Sequence, residues 1–183
     1  MRYYLLQKPD WFTGGIDIIR LHQRLDYRWF SQEQMHRLPS MTTLWIRHKE
    51  ETEYSAILLE PLPLLNDTAW SVLQLFMKKP PHMHLILRDE KTRDIFHYFC
   101  PDLRRIKGRV DLSGKTGDRE EARCYLEDAL PEGLPIMYLK DGDRIQVVMG
   151  VDMLESLMRR GLCDIKLIPI VIMEGEKDGR YEG

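Results

Sequence analysis

Apolar and polar residues alternate with a period of two along much of this chain. In the stretch TTLWIRH, residues 42–48, Leu44, Ile46 and His48 stand against Thr43, Trp45 and Arg47, the pattern of a strand with one buried face. The same reading predicts strands at 2–7 and 54–60, and the charged link KEETE suits a hairpin joining 42–48 to 54–60. Strands at 83–89 and 94–100 flank a short polar turn, RRIKGRVDL at 104–112 alternates again, and 136–140 and 144–149 flank Asp141-Gly142-Asp143 as a tight hairpin. The SGKTGD stretch at 113–118 reads as a loop.

Three stretches change to a helical period. From Asn66 or Asp67, either of which can cap free amides, Ala69, Trp70, Leu73, Phe76 and Met77 recur on one face up to Lys78-Lys79, and Pro80-Pro81 block continuation. Asp118 with Glu121 in the capping-box position precedes Ala122, Tyr125, Leu126 and Ala129 at i, i+3, i+4, i+7, predicting a helix that Pro131 ends. The third helix spans 151–160 and stops at Gly161, which can take the left-handed conformation. Ser31 is a candidate cap for a short helix through Arg37, and 17–25 fits helix and strand equally well.

The first and last helices repeat one another. Leu73 falls on Leu154, Phe76 on Leu157, Met77 on Met158, and Lys78-Lys79 on Arg159-Arg160, each helix lying between two strand candidates. Strands joined through a ten-residue helix are most economically parallel. The expected fold is therefore α+β: a mixed sheet with two pseudo-repeated strand-helix-strand units and short hairpins, residues 1–173 forming one domain and the polar 174–183 a flexible tail. Any two amphipathic helices of this length also share several apolar positions, so chance similarity stands beside the repeat.

Composition narrows the function classes. The 183 residues, 43% of them hydrophobic, suffice for a packed core. With 27 Lys and Arg against 29 Asp and Glu, the net charge of −2 creates no global field toward nucleic acid or anionic lipid. No apolar run approaches the ~18–20 residues of a membrane span, and the N-terminus lacks a signal-peptide pattern; a cytoplasmic location with no membrane partner is expected. Cys100, Cys124 and Cys163 lack paired spacing and read as reduced apolar residues.

Candidate chemistry is sparse. His82 and His84 project from one face of a predicted strand and His97 lies on the next, a conceivable three-histidine metal site, although no carboxylate stands at ligand spacing. The pattern of a phosphate-binding loop is missing around Lys115, and no GxSxG, HExxH or GxGxxG occurs. No catalytic residue, metal or cofactor is assigned. Arg105, Lys107 and Arg109 form a cationic stripe at i, i+2, i+4, with Lys115 and Arg119 close by. Such a stripe can meet a carboxylate-rich protein surface; it also suits a solvated edge strand kept from aggregating by charge. Without interleaved aromatic residues it speaks against nucleic acid.

The segment IMYLKDGDRIQVVMGVDMLESLMRRGLCDIKLIPI, 136–170, resembles the C-terminal signature of the immunity protein eleven family of bacterial polymorphic toxin systems. Its strand ending in Lys falls on Ile136–Lys140, the second strand on Ile145–Met149, the paired leucines on Leu154 and Leu157, Gly-Leu on Gly161-Leu162 and the last strand on Ile165–Pro169. Gly150 stands where a Ser is common. PLPLLNDTAWSVLQLF resembles the family's mid-chain element at Leu65, Trp70 and Leu73. The resemblance implies a non-catalytic cytoplasmic protein that binds and neutralises a cognate toxin, with Arg105, Lys107, Arg109, Lys115 and Arg119 as candidate contacts from the charge pattern. Two alternatives stay open: a metal-dependent enzyme using His82, His84 and His97, and a self-associating scaffold domain.

Overall fold

The structure is a computed structural model that describes residues 2–9, 16–26, 30, 34–48, 55–116, 119–131, 133–142, 144–162 and 164–173, with the backbone alone at 114–116, 119 and 120. It is mixed α+β, mostly strand, in two sheets. One is a closed barrel of β1 (Tyr3–Gln7), β7 (Arg105–Thr116), β8 (Arg119–Leu126), β9 (Ile136–Asp141), β10 (Arg144–Gly150) and β11 (Lys166–Met173), in the order β1-β10-β9-β7-β8-β11. The other is an open sheet of β2 (Met41–Ile46), β3 (Ile57–Leu58), β4 (Leu64–Asn66), β5 (His82–Asp89) and β6 (Ile95–Pro101), in the order β2-β5-β6-β4-β3. Helices α1 (Leu21–Arg24), α2 (Asp67–Phe76) and α3 (Val151–Met158) and a 3-10 turn at Met35–Arg37 complete the described elements. The expected helix start at Ser31, Cys163 and the tail 174–183 lie outside the described residues.

Local chemistry explains α2. The Asn66 side chain accepts a hydrogen bond from the Ala69 N–H at 2.9 Å, and Asp67 sits in the first turn, where the helix dipole favours a negative charge. Ala69, Trp70, Val72 and Leu73 are buried. The helix ends at Phe76, short of the lysines, and Phe76 is exposed while Met77 is half-buried. In α3, Met153, Leu154 and Leu157 are buried, and Gly161 with φ 83° ends the last turn.

Two expectations fail. Residues 119–129 do not form a helix: 119–126 is strand β8, antiparallel to β7 and parallel to β11. Ala122 and Cys124 are buried there, with exposed Arg123 between them. The residues fit both periods, and pairing on two edges decides for the strand. The proposed loop 113–118 is correspondingly strand up to Thr116. Likewise, 42–48 does not form a hairpin with 55–60. β2 pairs parallel with β5, and β3 pairs with β4.

The polarity of the two sheets can be compared directly. From β3 the open sheet runs β3-β4-β6-β5-β2, with three antiparallel contacts and then a parallel one. From β9 the barrel runs β9-β10-β1-β11-β8, again with three antiparallel contacts and then a parallel one. In each, a helix joins two parallel strands that are not neighbours: α2 joins β4 to β5 around β6, and α3 joins β10 to β11 around β1. A strand bridging β8 and β9, β7, closes the barrel.

Burial follows from this layering. Leu5, Ile106, Ala122, Met137, Leu139 and Val148 belong to one cluster, which fills the barrel. Gly108 is required there, because a Cβ at that position would stand 2.7 Å from the Tyr125 carbonyl oxygen. Alternate residues of β1, β9 and β10, among them Leu6, Tyr138 and Met149, share a second cluster with Leu44, Leu85 and Tyr98 of the open sheet and Leu73 and Leu154 of the helices. One face of the open sheet is thus packed against the outside of the barrel. The other face is covered by Trp70 of α2 at Phe99 and His82 and is open toward β2.

Candidate partner-binding surface

That outer face carries the odd-numbered residues of β2 and β6 and the even-numbered residues of β5. On β5, exposed or half-buried positions alternate with buried ones along all eight residues. Register sets the cross-strand rows: Met41, His84 and Phe99; Thr43, Ile86 and His97; Trp45, Arg88 and Ile95. Met41 is 58% exposed and Ile95 54%.

A line of stacked rings crosses it. Trp70 of α2 stacks on Phe99 at 4.9 Å and 15°, Phe99 on His84 at 4.7 Å and 10°, and His84 on His97 at 5.1 Å and 29°. Offset stacking at these spacings is favourable and holds each ring in place. Farther along, the guanidiniums of Arg88 and Arg93 each lie 5.1 Å from the Trp45 ring, cation–π contacts that leave an aromatic and cationic end to the face.

The imidazoles do not form the conceivable trio. His84 Nε2 and His97 Nδ1 are 2.9 Å apart and hydrogen-bonded, while His82 Nδ1 is held by the Pro80 carbonyl at 3.1 Å and its ring lies against Trp70. Among the described residues no group of three or more His, Cys, Asp or Glu is placed to hold a metal ion. Burial, then the neighbouring His97, pull the His84 pKa below its ordinary value; Asp67 opposes this and His82 adds to it. One N–H serves the pair, and a second proton would set two donors against each other.

The cationic stripe is dispersed by the fold. Arg105 is turned inward, its side chain 8% exposed, which takes it out of an exposed stripe. It donates to Asp102 Oδ1 at 2.9 Å and to the carbonyls of Phe30 at 2.9 Å and Leu103 at 3.3 Å. Its guanidinium also lies against the rings of Phe30 and Tyr138. Lys107 and Arg109 are exposed on the barrel, Lys107 in register with Lys140 and Arg109 over Tyr125 at 5.3 Å. Asp111 is nearby; hydrogen bonds from Ser113, then Arg123 and Arg109, overcome its partial burial and hold its carboxyl below the usual range. Lys115 and Arg119 belong to the β7–β8 ladder, paired with Glu120 and Thr116, and their side chains are outside the description.

The described cysteines are apolar core residues. Cys100 and Cys124 are buried and unbridged. Burial, then Asp141, push the Cys124 thiol up to about 11, and burial pushes Cys100 up further still; neither is an activated nucleophile.

Asp89 ends β5 and organises the turn beneath the Trp45 end. Its buried carboxylate accepts from the Lys91 N–H at 2.7 Å and the Thr92 N–H at 2.9 Å, and pairs with His48 Nδ1 at 2.9 Å. Burial acts to raise its pKa, but these hydrogen bonds, Thr92 first, outweigh burial and hold it well below the carboxylate range. The folded value is depressed, so this contribution to stability is present above the ordinary Asp pKa and fades as pH falls below it. Wild-type protein is expected to lose stability to urea between about pH 5 and about pH 3. Asp89→Asn should be weaker at the upper pH and change less across the interval; an unchanged pH slope in the variant would remove Asp89 from this role.

Among the described residues no helix is long and apolar enough to cross a membrane. Compared with known protein families and with curated proteins, the chain matches none. The ring line itself was not legible in the sequence, because it depends on the β5–β6 register and on where α2 sets Trp70. The signal available was the clustering of His82, His84, His97 and Phe99 on two strands of one hairpin.

Proposed function

We propose that this chain is a non-catalytic protein-binding module and that it serves as a cytoplasmic immunity protein, holding and neutralising a toxin domain, as its resemblance implies. The observation that carries the binding reading is the outer face of the open sheet, where Met41 and Ile95 stand exposed around an ordered line of rings and the Arg88–Trp45–Arg93 cluster. Rigid aromatic residues beside Arg and Met are the composition of binding hot spots. Similar helices and equal strand polarity support a further reading, that the chain is built from two repeats of one unit and that the second became a closed barrel while the first kept an open face.

The test is binding to the purified toxin-like protein encoded beside this chain's gene, measured by calorimetry. Trp45→Ala combined with Met41→Glu is expected to weaken the complex roughly 30-fold or more, the size of a lost hot spot. Lys107→Glu with Arg109→Glu is expected to slow association and reduce its salt dependence with little effect on dissociation. No complex with wild-type protein at micromolar concentration would end the immunity reading.

A further inference from the structure

The outer edge of β2 is the place to look for the partner's mode of attachment. In the barrel, β7 runs antiparallel along β8 and closes the gap to β9. At the corresponding place beside β2, the described residues supply a short stretch. Ile18 bridges Ile46 antiparallel, the Ile19 N–H donates to the Trp45 carbonyl at 2.8 Å, and the Arg47 N–H donates to the Asp17 carbonyl at 2.9 Å. Arg20 then takes φ 52°, left-handed backbone, and Leu21 begins α1, so the extended pairing with β2 stops at Ile19.

The remaining edge can be read atom by atom. The His84 N–H donates to the Ser40 carbonyl and the Glu90 N–H to the Ile46 carbonyl, so the even-numbered residues of β2 serve its parallel ladder with β5. The N–H and C=O of Met41 and Thr43 therefore point outward. Among the described residues none pairs with them, and both side chains are exposed. An unpaired strand edge is a template for another extended chain.

We infer that an extended segment of the protein partner adds to this edge, antiparallel to β2 across Met41–Leu44 and in line with residues 17–19. The inference rests on the reading of the chain as a protein-binding module and narrows it to one strand edge. Three observations choose this occupant: the same edge already accepts an antiparallel stretch, the barrel fills the corresponding position with a strand, and the outward groups come as donor–acceptor pairs. Side chains of the added strand that fall on the outer face would meet Met41 and the cationic end at Trp45, Arg88 and Arg93. An apolar residue flanked by a carboxylate suits them.

The experiment pans a library of short random peptides displayed on phage against the whole protein, and compares the recovered peptides on Thr43→Pro. Proline there removes an outward N–H and leaves the β2–β5 ladder its bonds; Thr43→Val keeps the N–H and is the control. Recovered peptides should bind Thr43→Pro about tenfold or more weakly than wild type, the loss of one or two strand hydrogen bonds. Independently of any variant's folding, they should slow hydrogen exchange at the Met41 and Thr43 amides of the wild-type protein. Failure to recover any peptide, or recovery of peptides that leave those amides unprotected, overturns the inference. A toxin that binds wild-type protein while the peptide result is negative leaves the immunity reading standing without the edge. The converse result leaves the edge and removes the toxin.

Discussion

Arg105→Ala is expected to destabilise the fold by about 3 kcal/mol, the lower end for breaking a buried charge pair, because its partner Asp102 keeps some contact with water. The guanidinium donates to Asp102 and to two carbonyls and lies against two aromatic rings. Truncation leaves the Phe30 carbonyl without its donor and takes packing from Phe30 and Tyr138. For a chain of this length such a loss lowers the melting temperature by roughly 6–12 °C. In urea the midpoint should fall with little change in slope. The result also separates two roles. A surface contact residue would leave stability alone and change only partner affinity; Arg105→Ala with wild-type stability would return the residue to the surface stripe.

Leu73→Ala should cost about 3–4 kcal/mol, the transfer free energy of the lost atoms plus a cavity. Leu73 is fully buried in α2 and belongs to the cluster between the open sheet and the barrel. Leu75, two residues on, is 68% exposed, and Leu75→Ala should stay within about 0.5 kcal/mol. The contrast tests the orientation of α2 with two chemically identical substitutions. Equal effects on the urea midpoint would mean that the helix does not bury the face assigned to it.

Elements whose signals are local were readable in advance. Asn66 caps α2, Gly161 closes α3, and the hairpins 83–100 and 136–149 appear in their expected places, because caps, turns and alternation act within a few residues. Where two local signals coincide, sequence alone misled. Ala122, Tyr125 and Leu126 satisfy a helical period while Ala122 and Cys124 satisfy a strand, and no nearby residue arbitrates. The 42–48 stretch was readable as a strand but not in its partner, since its parallel match with β5 lies across an intervening hairpin and helix. The candidate site was less legible still. Arg105 looked like its neighbours Lys107 and Arg109 until Phe30 and Tyr138, rings in contact with each other, came to lie against its guanidinium.

From its sequence, this protein's short-range structure is determined: where helices α2 and α3 start, which strand faces are apolar, and that the chain can build a core. Only the tertiary structure decided that β7 closes one sheet into a barrel, that β1 takes in that barrel the place β6 takes in the open sheet, and that among the described residues the edge of β2 is unpaired at Met41 and Thr43. Helix caps and strand alternation depend on contacts a few residues apart. Strand partners depend on which distant edges meet, and backbone hydrogen bonds are the same for every side chain, so the residues of a strand carry little record of its neighbour.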